Sequence, residues 1–149
     1  MRKLNWKIIL AATTVMVLVG CNNPFQDDTG TAPRITAVRL YRYIEETEQV
    51  VPQSTFTIGD FVYMEIDTVD PDRDITTLVI TETHVNTGNV LEAEIDLLQP
   101  EEVESTYWFL LDGVQGPAGD WKVEFQVRDA QGNRSNILER SITIQNPVQ

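Results

Sequence analysis

The sequence predicts an all-β fold, an antiparallel sandwich of about seven strands, over residues 34–149. Segments rich in β-branched and aromatic residues recur along this part of the chain, and turn residues separate them every 8 to 12 positions or so. No segment of similar length shows the 3.6-residue period of an amphipathic helix. Strands of this kind bury one face against an opposing sheet, so the pattern indicates two packed layers.

We label the predicted strands A to G in chain order. Strand B shows Val62, Met64 and Ile66 at every second position, and strand D follows a turn at residues 86–89. Strand F is the clearest, because apolar residues from Trp121 to Val127 alternate with polar ones. The seven predicted strands are residues 35–44, 56–68, 75–83, 90–97, 106–111, 121–127 and 136–144.

The aromatic residues divide into two groups. Trp108 and Trp121 are predicted to lie in the core, because a large ring fills the space between two sheets. Tyr41, Tyr43 and Tyr63 can line an exposed sheet face, where aromatic residues can bind a glycan or a peptide. Three tyrosines are also ordinary for a sandwich, so the sequence alone selects no ligand.

Two stretches resemble the immunoglobulin-like modules of bacterial surface proteins. Residues 69–75 read VDPDRDI, and residues 119–135 read GDWKVEFQVRDAQGNRS. In those modules the first stretch lies between strands B and C, and the second forms the F–G hairpin. The resemblance implies an immunoglobulin-like sandwich. Arg73 stands where the modules usually carry glycine, and the chain lacks the Cys-Trp-Cys spacing of antibody domains.

Residues 1–20 have the three-part build of a secretory signal, with basic residues at Arg2, Lys3 and Lys7 ahead of an apolar helical segment. That segment is too short to span a membrane comfortably, which takes about 20 apolar residues. Leu18-Val19-Gly20-Cys21 resembles the lipobox of bacterial lipoproteins. The resemblance implies cleavage before Cys21, diacylglycerol on its sulfur and an acyl chain such as palmitate on its amino group. The alternative is an ordinary secretory signal that leaves a free thiol.

The chain therefore divides into a lipoprotein signal peptide (1–20), a lipidated cysteine with a flexible tether (21–33) and the sandwich (34–149). The tether is polar, contains glycine and proline, and has little to bury. We expect a protein held by its N-terminal lipid at the membrane of the cell envelope. Asn22 favours the outer membrane where there is one, because aspartate in this position favours inner-membrane retention in enterobacterial lipoproteins.

The composition is strongly acidic, with a net charge of −12 from 11 basic and 23 acidic residues. Removal of Arg2, Lys3 and Lys7 with the signal leaves 8 basic against 23 acidic residues, a net charge of −15. Such a charge argues against nucleic acid as a partner, because phosphate backbones repel it. It is compatible with cations or basic partners.

Asp70, Asp72 and Asp74 alternate in a short loop, and the predicted topology brings Asp129 to the same end of the sandwich. Closely spaced carboxylates can bind Ca²⁺, which takes six to eight oxygen ligands. The sequence thus offers a metal site at Asp70, Asp72, Asp74 and Asp129. The alternative is structural, since Asp-Pro-Asp is also good turn chemistry.

No catalytic constellation is evident, and no enzyme is predicted. His84 is the only histidine and is expected to be exposed, and no serine lies in a G-x-S-x-G motif. The sequence favours an envelope lipoprotein that presents a non-catalytic domain to an unknown protein or glycan partner. One alternative is an accessory subunit of an envelope assembly, docked through an edge strand. A weaker one is a hydrolase that draws on all of the carboxylates together, since nothing in the sequence selects two of them for acid–base work.

Overall fold

The computed structural model describes Lys3–Leu4 and residues 30–148. Within these residues the chain forms ten strands and no α-helix. Cys21 and most of the predicted signal and tether lie outside the described residues. The strands are β1 (Lys3–Leu4), β2 (Arg34–Ile44), β3 (Gln49–Pro52), β4 (Thr55–Thr57), β5 (Phe61–Val69), β6 (Ile75–His84), β7 (Val90–Asp96), β8 (Glu104–Leu111), β9 (Gly119–Asp129) and β10 (Leu138–Gln145).

The strands form two five-stranded sheets. Sheet I has the order β1-β8-β5-β2-β3, and sheet II has the order β4-β10-β9-β6-β7. Pairing is antiparallel except at β1–β8 and β4–β10, which are parallel. Predicted strands A, B and E lie in sheet I, and C, D, F and G lie in sheet II. The all-β, immunoglobulin-like sandwich predicted from the sequence is confirmed.

The structure corrects the bounds of predicted strand B and adds a strand. Residues 56–68 contain a break, so that β4 joins sheet II and β5 joins sheet I. Gly59 makes the turn with a φ of 95°, a conformation that glycine adopts readily, and Thr57 N donates to Asp60 Oδ2 over 2.8 Å. Strand β3 was not predicted, because all four of its residues are exposed and show no alternation.

The core fills the space between the sheets with alternate side chains from both. In β9, the residues at 121, 123, 125 and 127 are all buried, while the residues between them are only half-buried. Sheet I contributes residues such as Val38, Met64 and Ile66 to the same cluster. Because burial of apolar surface is the main favourable contribution to folding, this layer stabilises the domain.

The two tryptophans have opposite environments. Trp121 is 5% exposed, as predicted, but Trp108 is 62% exposed, so its assignment to the core was wrong. The register explains the difference. Trp108 pairs with Glu65 on the outer face of sheet I, and its neighbour Phe109 pairs with the buried Met64.

His84 is also placed differently from the prediction, since it is buried rather than exposed. Its ring packs edge-on against Trp121 with 4.8 Å between ring centroids, and Nδ1 lies 3.0 Å from Thr87 Oγ1. Gly119 passes so close that an added Cβ would lie 2.6 Å from His84 Nε2. These contacts give His84 a structural place at the end of β6.

The sandwich is complete within residues 30–148. Every strand pairing other than β1–β8, and the whole core cluster, falls within that range. The two-residue strand β1 belongs to the predicted signal segment. Across the described residues, no helix has the length and apolarity needed to cross a membrane. A fragment of residues 30–149 therefore retains both sheets and their core.

We expect Phe125→Ala in this fragment to lower the free energy of unfolding by about 3 to 5 kcal/mol, because it leaves a cavity in a packed core. Urea denaturation followed by circular dichroism measures the change. The matched control is Val90→Ala on edge strand β7, where the side chain is 59% exposed and the change stays below about 0.5 kcal/mol. Equal effects at the two positions would contradict this description of the core.

Candidate functional site

The loops that precede β6, β8 and β10 meet at one end of the sandwich, which we call the acidic tip. It contains Asp70, Asp72, Asp74 and Asp129. Asp70 N donates to Val103 O over 2.7 Å, and Ala130 N donates to Asp74 O over 2.9 Å, so the three loops are bonded to one another. The structure thus brings the predicted carboxylates to one end.

Asp70 is fully buried and turned into its own loop. Its Oδ2 accepts hydrogen bonds from Asp74 N at 2.6 Å and Ile75 N at 2.9 Å, and its Oδ1 accepts one from Asp72 N at 3.2 Å. A carboxylate that satisfies three backbone donors fixes the turn that leads into β6.

Asp129 does the same for the turn after β9. It is buried, and its Oδ1 accepts hydrogen bonds from Gln131 N at 3.0 Å and Asn133 N at 2.7 Å. Its Oδ2 accepts one from Asn133 Nδ2 at 2.9 Å. Both oxygens are therefore committed to the β9–β10 turn.

Asp72 and Asp74 have different surroundings. Asp72 is exposed, and its Oδ2 accepts a hydrogen bond from Thr31 N, which fastens the start of the described chain to the tip. Asp74 Oδ1 is buried and has no partner among the described residues. Burial raises the pKa of Asp74, a hydrogen bond from Gln131 opposes the rise, and the neighbouring charges of Asp70, Asp129 and Asp72 add to it.

The predicted calcium site does not fit this arrangement as it stands. The described residues hold no group of three or more histidine, cysteine, aspartate or glutamate side chains placed to bind a metal ion. Ca²⁺ takes six to eight oxygen ligands, whereas the carboxylate oxygens of Asp70 and Asp129 already accept hydrogen bonds from backbone and side-chain donors. The geometry is that of capped turns, and calcium binding stays a prediction.

Arg73 explains one departure from the immunoglobulin-like motif. Its φ is 58°, in the left-handed region that glycine occupies without steric cost. The turn keeps its geometry although the side chain is long, and Arg73 Nη1 donates to Glu101 O over 3.3 Å. Glycine is usual at this position of the motif because the turn requires a positive φ. In this chain Arg73 adopts that φ instead.

The outer face of sheet I carries a second candidate, which we call the aromatic face. The register places Arg39, Glu65 and Trp108 in one row across β2, β5 and β8, and Tyr41, Tyr63 and Leu110 in the next. The rings of Tyr41 and Tyr63 lie 5.9 Å apart, centroid to centroid, and are tilted by 56°. Trp108 and Arg39 are the exposed members of this group, and the other four residues are half-buried.

A polar network lies beside these rings. The Arg39 guanidinium donates through Nη1 and Nη2 to the two oxygens of Asp67, at 2.8 and 2.9 Å, and through Nε to Glu65 Oε2 at 2.8 Å. Tyr41 Oη donates to Glu65 Oε2 over 3.0 Å, and Thr106 Oγ1 to Asp67 Oδ1 over 2.8 Å. The network holds the aromatic face in one arrangement.

The network also has an electrostatic signature. The hydrogen bond from Arg39, followed by one from Thr106, outweighs burial and holds the pKa of Asp67 below its usual range. Burial, followed by the hydrogen bond to Glu65, raises the pKa of Tyr41. The carboxylate is thus ionised and the phenol is neutral at pH 7, which keeps the ion pair and the donor role of Tyr41 in place.

A third feature is a cavity between the sheets, at the end away from the acidic tip. It measures about 90 Å³ and is lined mainly by apolar core residues, including Leu40, Phe56 and Ile80. Glu82 lines it as well. The sequence analysis missed this residue, although the alternation of β6 places Glu82 on the same face as Leu78 and Ile80.

The three features differ in how well the sequence indicated them. The tip was predicted from its aspartates, and the tyrosines of the aromatic face were noted. The exposure of Trp108 depends on how β8 pairs with β5. An unbroken aromatic and aliphatic segment does not reveal that register. No catalytic arrangement was predicted, and the sites described here offer binding geometry.

Comparisons with known proteins support the fold. No protein-family model matches the chain, and none of the curated proteins matches it. Among solved structures, the C-terminal domain of Wzt is similar with a TM-score of 0.53 and 15% identity, over 80% of this chain and 77% of that one. At this identity the likeness concerns the two-sheet architecture alone.

Two further solved structures have weaker similarity. An immunoglobulin-like protein from Pseudomonas aeruginosa gives a TM-score of 0.47 at 12% identity, over 78% of this chain and 99% of that one. A Niemann-Pick type C2 protein from the Japanese carpenter ant gives 0.49 at 10% identity, over 80% and 97%.

Asp70→Ala is expected to lower the free energy of unfolding by about 2 to 4 kcal/mol, because it leaves buried backbone donors without an acceptor. The loss should be the same in millimolar calcium and in excess chelator, as measured by thermal and urea unfolding. Asp72→Ala at the exposed position is the control, with a loss below about 1 kcal/mol. A loss seen only in calcium would show instead that the tip binds the cation.

Proposed function

We propose that this chain is a lipid-anchored protein of the bacterial cell envelope whose sandwich domain binds a glycan on its aromatic face, without catalysis. The observation that carries the proposal is the exposure of Trp108, at 62%, in one row with the Arg39–Glu65 ion pair. Single exposed apolar side chains are common on protein surfaces. This ring, however, shares its face with the rings of Tyr41 and Tyr63 and with charged groups, so that one ligand can make apolar and polar contacts together.

The chemistry of the face suits a sugar. A pyranose ring has an apolar C–H surface that can stack on an aromatic ring, and hydroxyls at its edge that both donate and accept hydrogen bonds. Trp108 offers the ring, and the Arg39–Glu65–Asp67 network offers charged groups fixed beside it. Because these groups already hold one another, little conformational entropy is lost when a ligand binds.

The position of the face argues against an extended peptide. Peptides usually add to a sheet edge, where unpaired backbone groups give affinity. The aromatic face lies across β2, β5 and β8, whose backbone groups pair with one another in the sheet. Only side chains are available there, and a ligand that carries its own hydroxyls uses them best.

The anchor is proposed on the lipobox at Cys21, with outer-membrane placement where the cell has one. The chain enters the sandwich at the acidic tip, where Thr31 N bonds to Asp72. Gly30 is nine positions after Cys21, and a stretch of this length reaches at most about 30 Å. The tether therefore joins the domain at the acidic tip, and the cavity lies at the opposite end of the sandwich.

A second function, an accessory subunit docked through an edge strand, is favoured by one observation. Strand β1 pairs in parallel with β8, Lys3 with Leu110 and Leu4 with Leu111. If the signal is cleaved, this edge of sheet I loses its cover and offers unpaired backbone groups. A partner could then add its own strand to β8, close to Trp108.

To test the glycan proposal, residues 30–149 are applied to a glycan array, and the affinity for the retained sugar is measured by calorimetry. Trp108→Ala is expected to weaken binding about tenfold, which corresponds to ~1.4 kcal/mol, without loss of stability. Leu98→Ala removes another exposed apolar side chain, outside the aromatic face, and is the control. If the wild-type domain retains no glycan, or Trp108→Ala binds normally, the proposal fails.

To test the anchor, cells expressing the full chain are fed labelled palmitate and fractionated. The wild-type protein is expected in the membrane fraction with label, whereas Cys21→Ser is unlabelled, because no sulfur remains to accept the diacylglycerol. Asn23→Ser keeps both label and membrane association and is the control. An unlabelled wild-type protein would refute the anchor and leave the glycan experiment unaffected.

A further inference from the structure

Glu82 is a charged residue at an inward position of the sandwich, away from the acidic tip. It pairs with Val123 of β9, and it shares the inward face of β6 with the buried Leu78 and Ile80. Its own side chain lines the cavity between the sheets. A carboxylate at an inward position loses hydration, and this is costly unless a partner compensates.

The described residues give Glu82 no partner. The ion pairs among these residues involve other carboxylates, as in Arg42 with Asp60 and Lys122 with Glu124. Burial alone raises the pKa of the Glu82 carboxyl, with no hydrogen bond or neighbouring charge contributing. The side chain is half-buried, and it lines the cavity as a hydrogen-bond acceptor that has no protein partner among the described residues.

The cavity that it faces has a definite size and a fixed rim. A volume of about 90 Å³ is smaller than the roughly 150 Å³ that accommodates benzene in an apolar cavity, so about four carbon atoms fill it. The loop at its mouth is held by hydrogen bonds from Gly59 N to Val114 O, 2.9 Å, and from Val114 N to Asp60 O, 2.8 Å. The cavity thus has walls that hold their shape.

We propose that this cavity binds a small aliphatic primary amine, with the alkyl chain between the sheets and the ammonium group at the Glu82 carboxylate. An ammonium ion supplies both the missing counter-charge and three hydrogen-bond donors. The chain buries apolar surface against Leu40, Phe56 and Ile80. The site is distinct from the aromatic face, which lies on the outer side of sheet I.

The electrostatics of the whole protein favour this choice over an anion or a neutral ligand. The mature chain has a net charge of −15, which raises the local concentration of cations and repels carboxylates. Asp112 lies at the cavity as a second acidic residue. A neutral alcohol of the same length would fill the cavity equally well but leave the Glu82 charge uncompensated.

The test uses residues 30–149, which contain both sheets and the core, and n-butylammonium chloride as the probe at pH 8 and low ionic strength. Calorimetry measures affinity, and NMR maps the perturbed residues. We expect butylammonium to bind at least tenfold more tightly than n-butanol and butyrate not to bind. Perturbed resonances should include Ile80 and Val123 and exclude Trp108.

Two variants test whether the Glu82 charge, and not the cavity alone, gives the preference for the amine. Glu82→Gln should remove the preference for the amine over the alcohol. It should itself unfold at a higher temperature, because a partly desolvated charge is gone. Glu124→Gln on β9 makes the same change of charge at a residue paired with Lys122 and should keep the preference.

Equal affinity for the amine and the alcohol in the wild-type protein would overturn the proposal, and that comparison stands even if a variant fails to fold. An unchanged preference in Glu82→Gln would overturn it as well. Neither result affects the glycan proposal, because the Trp108→Ala measurement concerns another surface.

Discussion

The structure depends on one geometric constraint, namely that successive side chains of a strand point to opposite faces of the sheet. Two sheets packed face to face therefore bury every second residue of each central strand. Strand β9 follows this constraint at all of its apolar positions, and the core cluster grows from it. Once β9 is fixed, its partners β6 and β10 are fixed in register, and the loops at both ends are brought to their places.

The loops of the acidic tip must meet a different requirement, namely hydrogen-bond acceptors for their backbone amides. Where the strands stop, backbone amides lose their ladder partners and need other acceptors. Asp70 and Asp129 supply them with buried carboxylates, each of which closes the turn that leads to the next strand. Asp72 and Asp74 lie close to these charges. Burial raises the pKa of Asp74, and the neighbouring carboxylates raise it further. Acidic residues here stabilise turns at an electrostatic cost.

The sequence predicted much of this fold because period-two alternation is a local signal. Six of the seven strands were placed within a few residues, and Trp121 was assigned correctly to the core. Errors arose where the local signal is absent. Trp108 lies in a segment where every residue is aromatic or aliphatic, so only pairing with β5 decides which side faces out. At Asp70 the sequence left a turn cap and a metal ligand open as alternatives, because the direction of the side chain distinguishes them and composition does not contain that information.

Two residues depart from the rule that apolar side chains face inward and charged ones face outward. The functional proposals rest on these two residues. Trp108 is a large apolar ring on the solvent side of sheet I, and Glu82 is a charge on the inner side of sheet II. The exposed ring contributes little to the stability of the isolated domain, and the carboxylate is partly desolvated without a protein partner among the described residues. A ligand of matching chemistry can cover the ring or pair with the carboxylate, so binding uses groups that the fold itself leaves unpaired. Trp108 lies on the outer face of sheet I, whereas Glu82 lines the cavity between the sheets. The two sites can therefore be occupied independently.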